Sequence, residues 1–160
     1  MVRAAALYVA VVGAGDPSES QAAAAEEVGR RLAEAGAIVI TGGRGGVMAA
    51  ASRGASHAGG LVVGLLPGDE RVTANEWVDV ALPTGLGELR NGLIVRAAHV
   101  LVAVGGAYGT LSEVALALAT GVPVVGFDTW EIEGIELVDS PEQAANRGLE
   151  LARRSVGLPA

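Results

Sequence analysis

Short apolar runs alternate along the whole chain with longer stretches in which alanine and leucine recur three or four positions apart. The first kind of pattern reads as a buried strand and the second as an amphipathic helix. Strands are expected at 7–12, 38–41, 61–66, 77–82, 100–104 and 122–126, with a short seventh at 136–138. Between them, Ser20 is placed to cap a helix that runs to Ala35 and ends at Gly36. Further helices are expected at 47–58, 87–98 and 110–120, and residues 67–76 read as a polar surface loop. Ser140-Pro141-Glu142-Gln143 combines an N-cap, a first-turn proline and a capping-box glutamine, and opens a last helix to Arg154. There is no internal repeat and no linker, so residues 1–160 read as one domain.

Strands that are apolar throughout, separated by helices, belong to a parallel sheet covered on both faces. The pattern therefore predicts an α/β fold of three layers, with a mostly parallel sheet of six or seven strands. In such sheets ligands bind at the carboxyl ends of the strands, near the point where strand order reverses. Two glycine-rich loops stand at such ends. The first supplies Gly42, Gly43, Gly45, Gly46 and Met48. The second supplies Gly105, Gly106, Tyr108, Gly109 and Thr110. The first turn adds Gly13 and Gly15. Glycine lets backbone N–H groups approach a ligand closely, and a helix N-terminus adds unpaired donors and a partial positive charge. Together these features predict one crevice that binds a phosphorylated small molecule.

Composition narrows the chemistry. There is no cysteine, which removes disulfides, thiolate metal sites and thiol nucleophiles and fits a reducing compartment such as the cytoplasm. All eleven basic residues are arginine. Without lysine neither a Schiff-base pyridoxal phosphate enzyme nor a Walker A loop can be built. The net charge of −7 argues against a nucleic-acid partner. Glycine and proline break the apolar stretches well before membrane length. Residues 4–15 have the look of a signal-peptide core, but the Asp16-Pro17 turn and helical pattern that follow make them a first strand. The mean hydropathy of +0.44 is high for a soluble monomer and predicts a homo-oligomer, a dimer or a tetramer.

Several motifs are weaker. The Gly13-Ala14-Gly15 turn lacks the third glycine of a dinucleotide fingerprint, and the second strand ends in Thr41-Gly42, without the acidic residue that holds an NAD ribose. Residues Gly54 to Ala58 resemble a nucleophile elbow but lie at a helix end. His57 and His99 have no partners at ligand spacing, so no metal site is expected. Thr110 and Glu113 have the spacing of a capping box, which makes Glu113 either a helix cap or a functional carboxylate. Arg90 has apolar neighbours one turn on, at Ile94 and Ala97, and is expected at the buried margin.

Arg90-Asn91, an apolar run, and then Gly105-Gly106-Ala107-Tyr108-Gly109-Thr110-Leu111-Ser112-Glu113 resemble the Lonely guy (LOG) family, Rossmann-like proteins once misnamed lysine decarboxylases. The resemblance extends to the loop at Thr41 to Met48 and covers nearly the whole chain. It implies a nucleoside 5′-monophosphate phosphoribohydrolase with Arg90 and Glu113 as the catalytic pair and residues 105–110 on the phosphate. Departures from the family pattern are Gly105 for a proline, Ala107 for a glycine, Asn91 for a lysine and Ser112 for a second glutamate. With the short chain, they are more similar to the sister branch of molybdenum cofactor carrier proteins, which implies binding of a phosphorylated pterin without turnover. The resemblance thus implies a carrier for a nucleotide or molybdenum cofactor first and a hydrolase second, with no further cofactor required.

Overall fold

The structure is a computed structural model and describes residues 6–159. Ala4 and Ala5, part of the signal-like stretch, lie outside them. Seven strands form one sheet: β1 (Tyr8–Gly13), β2 (Ile38–Thr41), β3 (Val62–Leu66), β4 (Val80–Pro83), β5 (Val100–Val104), β6 (Val124–Phe127) and β7 (Ile135–Val138). Their order is β4-β3-β2-β1-β5-β6-β7 and every pair is parallel. Strand order reverses between β1 and β5. The helices are α1 (Glu19–Glu34), α2 (Val47–His57), α3 (Asn91–Ala97), α4 (Tyr108–Thr120) and α5 (Pro141–Ser155). This is the three-layer, Rossmann-like α/β fold expected from the alternation.

Period-two alternation along the strands divides the core. Val9, Val11, Val39 and Val102 face α1, α2 and α5. Ala10, Val12, Ile40 and Leu101 face α3 and α4 on the other side. Helices α1 and α2 cross in close contact because two glycines remove the obstructing side chains. A Cβ on Gly29 would stand 2.0 Å from the Ala51 carbonyl oxygen, and one on Gly54 would stand 1.9 Å from that of Glu26. Gly54 thus serves helix packing, and the elbow-like segment is ordinary helix.

Four local expectations need correction. The cap of α1 is Ser18, not Ser20. Its hydroxyl accepts the Gln21 N–H at 3.2 Å while Gln21 Oε1 accepts the Ser18 N–H at 3.1 Å. Strand β4 starts at Val80, not at residue 77, because the preceding backbone is committed to a turn. There the Trp77 N–H binds Asn75 Oδ1 and the Val78 N–H binds the Asn75 carbonyl. The helix expected at 87–98 is split into a 3-10 turn, Gly87–Arg90, and the short α3. Finally, α4 begins at Tyr108, two residues before Thr110. Its cap residue is Ala107, whose N–H approaches Thr110 Oγ1 at 3.4 Å. Glu113 therefore lies inside the helix and caps nothing.

Candidate functional site

At the reversal of strand order, a cavity of 230 Å³ opens between the ends of β1 and β5. Gly13, Gly15, Met48, Arg90, Gly109, Thr110 and Glu113, all expected at the site, line it. Val12, Asn91 and Ala107 complete it. Two independent sequence signals, the first turn and the second glycine loop, thus meet in space across the sheet.

The first glycine loop plays another part. At its helix end the Val47 N–H donates to the Ala14 carbonyl at 3.0 Å, and a Cβ on Gly46 would stand 2.4 Å from the same oxygen. A Cβ on Gly43 would meet Leu66 at 2.6 Å, and one on Gly42 would meet Arg90 Nη1 at 2.6 Å. Buried Thr41 and Ser52 hold the loop from below, with Thr41 Oγ1 accepting the Gly43 N–H at 3.1 Å. Gly42, Gly43, Gly45 and Gly46 do not line the cavity, although a Cβ on Gly45 would meet nothing within 4 Å, and Met48 represents the loop there.

The second loop is open. The Leu111 N–H donates to the Ala107 carbonyl at 3.0 Å, the first bond of α4. The N–H groups of Tyr108, Gly109 and Thr110 come before it and have no acceptor in the helix. A Cβ on Gly109 would meet nothing within 4 Å. Gly109 therefore leaves open the space directly in front of the helix N-terminus. Gly105 and Gly106 lie on the far side of the same loop, and Tyr108 is 89% exposed outside the cavity.

Two charged residues sit inside. Arg90 is only 8% exposed. Its Nη1 donates to the carbonyls of Gly42, at 2.7 Å, and Leu65, while its Nε is buried without a partner. Burial lowers the Arg90 pKa and the nearby Glu113 opposes that shift, but a guanidinium remains a cation. Glu113 is equally buried, and no group among the described residues hydrogen-bonds its carboxyl. Burial pushes its pKa up to about 7, with the charge of Arg90 holding it back in part. The result is a fixed cation beside a carboxyl that titrates near neutrality.

Asn91 and Ser112, the two positions that depart from the LOG pattern around this pair, bind each other. Asn91 Nδ2 donates to Ser112 Oγ at 2.9 Å, and Ser112 Oγ donates to the Gly109 carbonyl at 2.7 Å. A neutral clamp thus ties α3 to the first turn of α4. His57 lies edge-on to Trp77, and His99 Nδ1 accepts the Tyr8 N–H at 3.1 Å, both away from the cavity. Among the described residues no three metal-ligating side chains cluster, and no helix is long and apolar enough to cross a membrane.

A family model described as the SLOG cluster4 family matches residues 6–154. An uncharacterized protein of Archaeoglobus fulgidus is 40% identical over 141 residues, covering 88% of this chain and 93% of its own. Among solved structures, the molybdenum cofactor binding protein of Rippkaea orientalis matches with a TM-score of 0.86 at 32% identity, covering 95% of this chain and 98% of that one. The molybdenum cofactor carrier protein of Chlamydomonas reinhardtii matches with a TM-score of 0.85 at 34% identity, covering 92% and 98%.

Proposed function

The chain belongs to the SLOG cluster4 family, and from that premise we propose that it binds a phosphorylated, nucleotide-like small molecule as a carrier, the molybdenum cofactor or a nucleoside 5′-monophosphate being the ligand class. One observation carries the reading. The N-terminus of α4 presents unpaired N–H groups to a cavity that Gly109 leaves unobstructed. That is the arrangement a phosphate needs, and it is local, so it works despite a net charge of −7. Carrier and binding proteins for the molybdenum cofactor among the structural neighbours support the same class. Gly13 and Gly15 border the ligand from the β1 side, and Met48 covers it.

A second reading is favoured by Glu113. A buried carboxyl with a pKa of about 7, beside an arginine, is suited to general acid–base work. In a phosphoribohydrolase the C1′–N bond breaks with its electron pair going to the base. Water then adds at C1′, and its proton passes through ionised Glu113 to the leaving base. Arg90 would position the substrate. Glycoside hydrolysis commonly uses two carboxyl groups, and the cavity contains one. This difference places binding first.

The test is incubation with a panel of nucleoside 5′-monophosphates, followed by mass spectrometry of products and of bound ligand. The carrier reading expects a retained phosphorylated ligand and no free base. Free base and ribose 5-phosphate from the wild type, absent with Glu113→Gln, would establish the hydrolase instead.

The reading includes a homo-oligomer through the α3–α4 face. Leu89 is 79% exposed, and Leu93 and Leu116 are exposed on the same side, where only two helices cover the sheet. Leu89→Asp should convert the sedimenting species to a monomer. An unchanged sedimentation coefficient would move the interface elsewhere.

A further inference from the structure

A second cavity, of 200 Å³, lies behind the second glycine loop, on the side away from Arg90 and Glu113. Gln21, Gly105, Gly106, Asp128, Thr129 and Trp130 line it. Successive residues of one loop divide the two cavities: Gly105 and Gly106 line the second, and Ala107, Gly109 and Thr110 line the first. A Cβ on Gly106 would stand 2.5 Å from the Trp130 ring and 3.3 Å from the side chain of Thr110, which lines the first cavity. Each cavity alone is smaller than the roughly 300 Å³ at which small-molecule pockets begin, and the two together exceed it.

The one charged group lining this cavity, Asp128, is an acceptor. Asp128 Oδ2 accepts one N–H from Gln21 Nε2 at 2.9 Å, leaving the rest of the carboxylate uncommitted. Thr129 Oγ1 is buried with no hydrogen-bond partner, a costly state. Asp128 has a φ of +51° at the end of β6, a left-handed conformation that aspartate and asparagine adopt more readily than other side chains. Trp130 adds a flat apolar surface.

A carboxylate beside an indole complements a planar heterocycle that presents two adjacent N–H donors. An adenine edge offers one donor and one acceptor, and its ring nitrogen would face a carboxylate oxygen. We propose that the second cavity takes the ring of the ligand and selects a 2-amino-4-oxopyrimidine edge, common to guanine and pterins, through Asp128. The ring N–H and the exocyclic amino group donate to the two carboxylate oxygens, and the phosphate lies across Gly106 at α4. This rests on the phosphate-binding reading above and names the class of ring it serves.

Titration calorimetry of the full chain tests it. The probes are ribose 5-phosphate, the 5′-monophosphates of guanosine, inosine, xanthosine and adenosine, and neopterin monophosphate. The wild type should bind guanosine monophosphate or the pterin phosphate about tenfold or more tighter than inosine or adenosine monophosphate, because those lack the donor pair. The tighter of the first two identifies the natural source of the ring.

Asp128→Asn is the decisive variant, since asparagine tolerates the same left-handed backbone. With its oxygen held by Gln21, the amide offers one acceptor and one donor. Preference should then pass to xanthosine monophosphate, which carries a carbonyl where guanine has its exocyclic amino group. A structural role for Asp128 would lower all affinities together and move no preference. Equal binding of every ring, unaltered by Asp128→Asn, overturns the proposal while leaving the phosphate site standing. Failure of ribose 5-phosphate and all the others to bind overturns both.

Discussion

Gly109→Val is expected to fold as stably as the wild type and to lose binding of phosphorylated ligands by a hundredfold or more. The two halves of this result come from one observation. A side chain at Gly109 meets no protein atom within 4 Å, so the substitution costs nothing in packing. The residue lies in the first turn of α4 with an ordinary helical backbone, where replacing glycine changes stability by about 0.5 kcal/mol or less. Gly109 itself lines the cavity. Valine would place a branched apolar group before the unpaired N–H groups of α4, so a phosphate would lose both its room and its donors. Thermal unfolding and titration with ribose 5-phosphate on the same preparation check the two halves. A folded variant that binds normally would remove α4 as the anchor. Gly13 could not serve the same test, because a Cβ there would stand 2.3 Å from the Val104 carbonyl oxygen and would disturb the sheet.

Glu113→Gln should stabilise the protein at alkaline pH and leave it unchanged in acid. The carboxyl has a pKa of about 7 in the folded chain, against 4.5 when free of its surroundings. Between these values the folded state keeps a proton that the unfolded state has released. Stability therefore falls as pH rises from about 4.5, and the loss is complete once pH passes about 7. The full difference is on the order of 3 kcal/mol. Glutamine has the shape of the protonated acid and does not titrate, so it escapes the loss. Denaturant unfolding at about pH 5 and about pH 8 reads the effect: near-equal stabilities in acid, and a more stable variant in base. Parallel pH profiles would mean that Glu113 ionises like a surface carboxylate. A buried acid that costs stability at working pH is the mark of a residue retained for its chemistry or its ligand.

Much of the site is legible in the chain's local patterns. Arg90 carries a signal because apolar residues one turn on place it at the buried margin, and it is buried. Glu113 is ambiguous in sequence, because Thr110 and Glu113 have the spacing of a capping box. The ambiguity ends only with the start of α4 at Tyr108, which puts both residues inside the helix. The first glycine loop is ambiguous for a related reason. Glycines that admit a ligand and glycines that admit the protein's own backbone look the same in sequence. At Gly46 the visitor is the Ala14 carbonyl, and at Gly42 it is the Arg90 side chain. The Asp128-Thr129-Trp130 segment carries no recognisable pattern, because its residues acquire meaning only beside Gln21 and the Gly105–Gly106 backbone.

What the sequence by itself determined is the set of local periods and stops. Apolar runs became strands, spaced alanines and leucines became helices, and their alternation required a parallel sheet with both faces covered. These are properties of neighbouring residues, and hydrophobic burial with backbone hydrogen bonding acts on them directly. Only the tertiary structure decided which glycines face open space, which helix N-terminus is free, and which side chains share a cavity. Each of these depends on residues brought together across the reversal of strand order, as Gly15 meets Gly109 and Gln21 meets Asp128. The physical reason is that a hydrogen-bond donor or a void has no fixed character until its surroundings are in place: the same N–H group is a ligand site if left unpaired, and mere scaffolding if a carbonyl reaches it first.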